Sequence, residues 1–170
     1  MRAFTAVNIE NDEVLRELEE ARDHLDLGFS PVPKEKKHMT LEFFKDIDES
    51  QVEHIKDALD QVSLNSFEAE IKGVGCFPSR DYIRVVWAGM ESDKLYELER
   101  QASDHSIDSD NDHDFHPHIT LMRVKDVNKD QKKKLRRTLR EFEDHSFGKI
   151  SIDKITLFKS ELNNGGSVYS

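Results

Sequence analysis

Cysteine is almost missing from this chain: Cys76 is the only one in 170 residues. That excludes a disulfide framework and a cysteine-based zinc site, fits a reducing compartment, and leaves Cys76 as a small strand residue. Long apolar runs are missing as well. The best, Ile83 to Met90, is interrupted by Arg84 and falls far short of the roughly 20 residues that a membrane-crossing helix needs. Met1-Arg2-Ala3-Phe4 reaches Glu10, Asp12 and Glu13 without the apolar core of a secretion signal, so the expectation is a cytoplasmic protein with no membrane partner. Positive charge is in deficit. With 25 Lys and Arg against 35 Asp and Glu, the formal net charge is −10; most of the surface repels phosphates, and nonspecific coating of nucleic acid is excluded while a local basic cleft is not.

What is present has the size of one domain, residues 1–170, or of two small lobes sharing a core. Apolar residues 3–9 predict a strand that ends at Asn11-Asp12-Glu13, a helix start. Val14, Leu18, Ala21 and Leu25 then recur at helical spacing, with Gly28 at the expected C-terminus. Residues 29–33 read as a proline loop. His38 to Phe43 alternates, predicting a strand with Met39, Leu41 and Phe43 on one face and His38, Thr40 and Glu42 on the other. Asp48 opens a helix carrying Val52, Ile55, Leu59 and Val62, and residues 67–74 predict a strand before a turn at 75–80. The same grammar follows again: a strand over 82–88, a helix capped at Ser92-Asp93, an acidic loop over 104–114, a strand over 115–124, a helix capped by Asn128, and strand-like residues 147–158. A last short strand is expected within 165–169.

A single ungapped offset of 80 aligns the two halves. It carries His38 onto His118, Thr40 onto Thr120, Leu15 and Leu18 onto Leu95 and Leu98, Ile55 and Leu59 onto Leu135 and Leu139, and Phe67 onto Phe147. The fold expected is α+β, a duplicated β-α-β-α-β unit forming two pseudo-symmetric lobes with antiparallel sheets around a central cleft. The repeats run over about 1–80 and 81–170, with strands able to cross between lobes, and neither half need be stable alone.

The repeat changes the weight of one motif. His116-Pro117-His118-Ile119-Thr120-Leu121 has a shorter echo in His38-Met39-Thr40-Leu41. Residues i and i+2 of a strand leave the same face with α-carbons about 6.5 Å apart, so His and Thr point together while the intervening hydrophobes anchor the strand. A lone H-x-T-L is more often structural, with a threonine chosen for β-propensity. Two copies at equivalent repeat positions bring two imidazoles and two hydroxyls to one cleft, a site for a tetrahedral anion. Histidine's ordinary pKa near 6.5 lets one ring accept a proton while the other donates one, and the hydroxyls can hold non-bridging phosphate oxygens. Such a scheme requires no metal and no cofactor. Symmetry leaves open which imidazole is the acid.

These motifs, together with Arg2-Ala3-Phe4-Thr5-Ala6-Val7, Gly73-Val74-Gly75-Cys76-Phe77-Pro78, Arg84-Val85-Val86-Trp87 and the run from Phe115 to Val124, resemble the two-histidine phosphoesterase superfamily and, within it, the RNA 2',3'-cyclic phosphodiesterase or 2'-5' RNA ligase branch. The resemblance spans nearly the whole chain. It implies a bilobal α+β fold, metal-independent hydrolysis of an RNA terminal 2',3'-cyclic phosphate to a 2'-phosphate, and in some members reversible 2'-5' joining. By the same resemblance His38 is the proton donor, His118 the proton acceptor, Thr40 and Thr120 the phosphate-binding pair, and Arg123 a substrate contact. The partner expected is an RNA with a 2',3'-cyclic phosphate end, tRNA fragments among them, and the protein is expected to act as a monomer. The chain departs from the family at Phe43-Phe44-Lys45, where a Phe-Leu-Gly run is usual, and by lacking a tryptophan in 29–37. Those changes bear on substrate contacts near the first motif.

Other readings stand beside these. A two-histidine relative acting on a small nucleotide is one alternative, and a non-catalytic nucleotide- or RNA-binding module is another. His113, His116 and His118 have metal-ligand spacing, but a metal role would occupy His118 and leave His38 unexplained. Lys34, Lys36 and Lys37 before the first motif, with Arg123 and Lys125 after the second, would make the cleft edges basic, and Lys129 to Arg140 forms a basic outer helix face that is either solvated or touches RNA. Phe44, Phe77 and Tyr82 are candidates to stack a base.

Overall fold

One helix start is built twice, eighty positions apart. The Asp48 side chain accepts the backbone N–H of Gln51 at 2.9 Å while the Gln51 side chain accepts the N–H of Asp48, and Asn128 and Gln131 repeat the exchange. Each reciprocal pair satisfies two of the donors that a helix leaves orphaned at its start.

The computed structural model describes all residues except 25–29, 32–36, 64, 80, 106, 108–114, 125–127, 162–164 and 170. Its elements are β1 (Arg2–Asn8), α1 (Asp12–His24), β2 (Ser30–Pro31), β3 (His38–Phe44), α2 (Glu49–Asp60), β4 (Phe67–Ser79), β5 (Tyr82–Glu91), α3 (Lys94–Ala102), β6 (His118–Arg123), α4 (Lys129–Glu141), β7 (Ser146–Ile152), β8 (Thr156–Glu161) and β9 (Gly165–Tyr169). The strands form one antiparallel sheet in the order β7-β4-β5-β6-β3-β1-β8-β9, with β2 attached to β6. Its centre of symmetry is the β6-β3 junction. Moving outward, β5 matches β1 and β4 matches β8. By sequence β4 follows the first repeat's helices, yet it lies between β5 and β7, while β8 from the second repeat pairs with β1.

The helices bury their apolar stripes against one side of this sheet. Leu15 and Leu18 of α1, Leu95 and Leu98 of α3, and Leu135 and Leu139 of α4 join Met39, Leu41, Ile119 and Leu121 in one core. Val52 and Ile55 of α2 close a smaller cluster with Ala3, Phe44, Ile47 and Leu157. Burial of this kind contributes roughly 1.5–3 kcal/mol per large aliphatic side chain. The opposite side of the sheet carries no helix among the described residues and forms the cleft.

Several expected boundaries move. Residues 75–79 continue β4 instead of turning: the strand stays paired with β5 as far as Ser79 after its pairing with β7 ends at Lys72, and Gly73, at φ +80°, takes the irregularity between Ile71 and Val74. Residues 147–158 divide into β7 and β8, which pair with different neighbours. β6 starts at His118, since Pro117 has no N–H to give to the ladder. At α3, Asp93 makes no capping bond, and Ser92 Oγ accepts the Lys94 N–H at 3.3 Å. Gly28 and most of the acidic 104–114 loop lie outside the described residues.

Candidate active site

Met39 of β3 is paired with Ile119 of β6. In antiparallel register this sets His38 opposite Thr120 and Thr40 opposite His118, all on the face away from the two fully buried hydrophobes. Directly opposed residues have β-carbons about 5 Å apart, and diagonal ones lie about 7–8 Å apart. The two histidines therefore occupy one diagonal of a four-residue array and the two threonines the other. All four side chains are half-buried.

A bulge in each motif strand completes the face. Thr5 and Ala6 of β1 pair with Glu42 and Thr40, skipping Leu41; Val86 and Trp87 of β5 pair with Met122 and Thr120, skipping Leu121. An extra residue reverses the alternation beyond it. Leu41 and Glu42 are thus both buried, as are Leu121 and Met122, and the next residues, Phe43 and Arg123, return to the cleft side. This corrects the simple alternation expected for 38–43: Phe43 belongs with His38 and Thr40, and Glu42 faces the core. It also carries Arg123, five residues from His118 and so on the wrong face of a regular strand, to the cleft rim, where it is exposed beside Val85.

The two imidazoles have different surroundings. His118 Nδ1 donates to the carbonyl of His116 at 2.6 Å, so the neutral ring carries its proton on Nδ1 and leaves Nε2 as an acceptor. Phe77 meets the His118 ring edge-on at 5.0 Å and Trp87 lies at 6.1 Å. Burial there pushes the His118 pKa below its ordinary 6.5, partly opposed by the bond to His116. His38 instead stacks on Phe4 at 4.8 Å, with Phe158 at 6.0 Å. Phe158 of β8 and Phe77 of β4 thus each bring a ring to one of the two motif histidines.

Trp87 is held by a glycine. Gly75 is its partner on β4, and a β-carbon there would come within 2.5 Å of two indole atoms. The ring also packs at 4.7 Å on His116. Composition and motif spacing do not mark Phe4, Trp87 or Phe158 as site residues; their signal is positional, since each lies on a strand neighbouring a motif strand or one further out. His116 is exposed and contributes through its carbonyl rather than as a member of the symmetric pair.

Other expected residues fall elsewhere. Lys37 is 1% exposed and does not charge the cleft edge, while Lys34, Lys36, Lys125 and His113 lie outside the described residues. Phe44 is fully buried and cannot stack a base. Behind the first motif strand Glu42 accepts a 2.8 Å hydrogen bond from His105 Nε2, and His105 Nδ1 accepts the Ile107 N–H at 3.2 Å. Met122 stands where the second repeat would have a counterpart of Glu42. Among the described residues no three His, Cys, Asp or Glu side chains cluster as a metal site would require, and no helix is long and apolar enough to cross a membrane.

Comparison with known proteins bears on the family and the fold. The family model for LigT like phosphoesterase matches residues 9–87 and 90–169. The RNA 2',3'-cyclic phosphodiesterase of Methanocaldococcus jannaschii is 30% identical over 99% of this chain and 96% of its own. A crystal structure from Thermus thermophilus superposes with a TM-score of 0.77 at 26% identity, covering 99% of this chain and 94% of that one. Escherichia coli LigT crystallised with 3'-AMP superposes with a TM-score of 0.73 at 19% identity, over 99% and 93%.

Proposed function

The chain belongs to the LigT like phosphoesterase family, and we propose on that footing that it hydrolyses the 2',3'-cyclic phosphate at an RNA end to a 2'-phosphate. The single observation behind this is the diagonal array of His38, Thr40, His118 and Thr120 about the Met39–Ile119 pair. In-line displacement at phosphorus needs the attacking and leaving oxygens on opposite sides, and a diagonal of two histidines supplies a proton acceptor and a proton donor in that relation. The threonines on the other diagonal hold the non-bridging oxygens.

His118 is the acceptor. Burial favours its neutral form, and its Nδ1 bond leaves Nε2 toward the cleft to take a proton from water. The resulting hydroxide attacks phosphorus, the P–O3' bond breaks, and protonated His38 gives its proton to the departing 3' oxygen. Water and the cyclic ester become a 2'-phosphomonoester and a free 3' hydroxyl. With an RNA 5' hydroxyl in place of water, the same groups in the same roles join ends through a 2'-5' bond as the P–O3' bond breaks; in the reverse cleavage, where the 3' hydroxyl attacks and the 5' oxygen departs, they exchange roles. Arg123 at the rim adds a positive charge for the phosphate or the next nucleotide. The two repeats act as one unit, since the array takes half its members from each.

Support comes from relatives whose names carry this activity along nearly their full lengths. The test is hydrolysis of an oligonucleotide ending in 2',3'-cyclic phosphate, with a 2',3'-cyclic mononucleotide alongside and chelator present. Release of a 2'-phosphate from the oligonucleotide is the expected result. Turnover of the mononucleotide alone would point to a small-nucleotide enzyme, and binding without turnover to a non-catalytic module.

A further inference from the structure

Charge on the outer helices breaks the symmetry that the interior keeps. α4 carries seven Lys or Arg against two acidic residues, whereas its repeat counterpart α2 carries four acidic residues and one lysine. At 100° per residue, Lys129, Lys133, Arg136, Arg137 and Arg140 fall on one stripe opposite buried Leu135 and Leu139. That stripe runs about 16 Å along the helix axis. In a chain of net charge −10, such a concentration stands out.

The stripe is joined to the cleft. Arg123 at the cleft rim pairs with Val85, and the next residue, Arg84, is exposed with its guanidinium 4.7 Å over the ring of Tyr82 and its Nε bonded to the Tyr82 hydroxyl at 2.7 Å. Tyr82 is 55% exposed. Beside it Asp81, the acidic member of the band, accepts from Arg136 of α4 at 2.7 Å. A run of cations with one exposed aromatic thus leads from the phosphate array, round the β4–β5 hairpin, onto α4.

We propose that this band is a docking surface for the body of the RNA upstream of its reacting end, with backbone phosphates on the α4 stripe and a base against the Tyr82–Arg84 pair. The inference rests on the proposed function and deepens it. A polyanion fits the charge, and the aromatic–arginine pair fits an unpaired base. Because α4 packs on the side of the sheet away from the cleft, a terminal nucleotide cannot reach it. Only an RNA several nucleotides long can.

The experiment compares wild type with the double variant Lys133→Glu/Arg137→Glu, two positions on the outer stripe, remote from the histidine array. Substrates are a 20-nucleotide RNA and a dinucleotide, each ending in 2',3'-cyclic phosphate. The expected result is a fall of about tenfold or more in kcat/KM for the long RNA at low salt, no change for the dinucleotide, and a salt dependence of long-RNA binding shallower by about 0.7 per lost phosphate contact. Equal losses on both substrates, or none on either, would overturn the proposal. Should wild type hydrolyse neither, the proposed function fails while the surface stays testable. Fluorescence anisotropy with the same 20-mer then decides, and affinity unaltered by the double variant overturns the surface as well.

Discussion

His118 Nδ1 is tied to the carbonyl of His116, two residues back in the chain, at 2.6 Å. That bond orients the ring and fixes its neutral tautomer, while Phe77 and Trp87 exclude water around it. With its pKa below 6.5, His118 stays unprotonated through neutral pH. The acid limb of a kcat/KM profile is expected below pH 6.5, and Phe77→Ala, which re-exposes the ring, should move that limb upward toward 6.5. A limb that does not move would separate burial from the base's ionisation.

The same shift has a consequence for stability. A histidine whose pKa falls on folding binds protons more readily when unfolded. Its contribution is therefore complete above the unfolded value near 6.5 and is lost as pH drops through the lower folded value. Urea midpoints taken between about pH 7.5 and 5 should decline with pH in wild type, and less steeply in His118→Asn.

Removal of either imidazole should cost about 10²- to 10⁴-fold in kcat. His38→Ala and His118→Ala are expected to unfold near the wild-type midpoint, because both side chains face the cleft. Thr120→Val, which keeps shape and removes a hydroxyl, should lose activity without loss of fold. Full turnover by either histidine variant would sink the paired acid–base scheme.

Trp87 is the chain's only tryptophan, so its fluorescence reports on the wall of the site. Gly75→Val has no room beneath the indole and must displace it. The expected signature is a shifted emission maximum with reduced activity and a stability cost of about 1–3 kcal/mol. An unchanged emission spectrum would contradict the close packing of Gly75 and Trp87.

The Glu42–His105 bond is nearly solvent-free, with side chains 5% and 1% exposed. His105→Ala strands a buried carboxylate and should destabilise by about 1–3 kcal/mol. Adding Glu42→Met, the residue type that the second repeat uses, should restore much of that loss. A double-mutant cycle in urea measures the coupling, and strict additivity would argue against it.

The duplication, the helix seams and the four polar positions are legible in the residues alone, because an offset of 80 preserves both apolar spacing and chemistry. The face of Phe43 and Arg123 is not. A bulge has no periodic signature, and alternation counted through Leu41 or Leu121 assigns the following residues to the wrong side. Likewise a sequence reading cuts β4 short at Gly75, since glycine and proline imply a turn where the strand in fact runs on beside β5 past the end of β7. The aromatics around the histidines come from β1, β4, β5 and β8, and nothing local in those strands announces which ring will meet which imidazole. Buried Lys37 shows the opposite failure: a lysine in a basic run is assigned to the surface by its type.

The crossing of strands between repeats also sets an order of assembly. β1 is held by β3 on one edge and by β8 on the other, with Arg2 across from Ser160. Contacts so far apart in sequence are slow to form and leave an edge unpaired until the later strand is made. On a ribosome His38 would emerge early with Phe4 already made, yet His118 and Phe158 would both still be untranslated. The reactive centre is then one of the last features to mature, so a nascent or truncated chain carries the first motif without the means to use it.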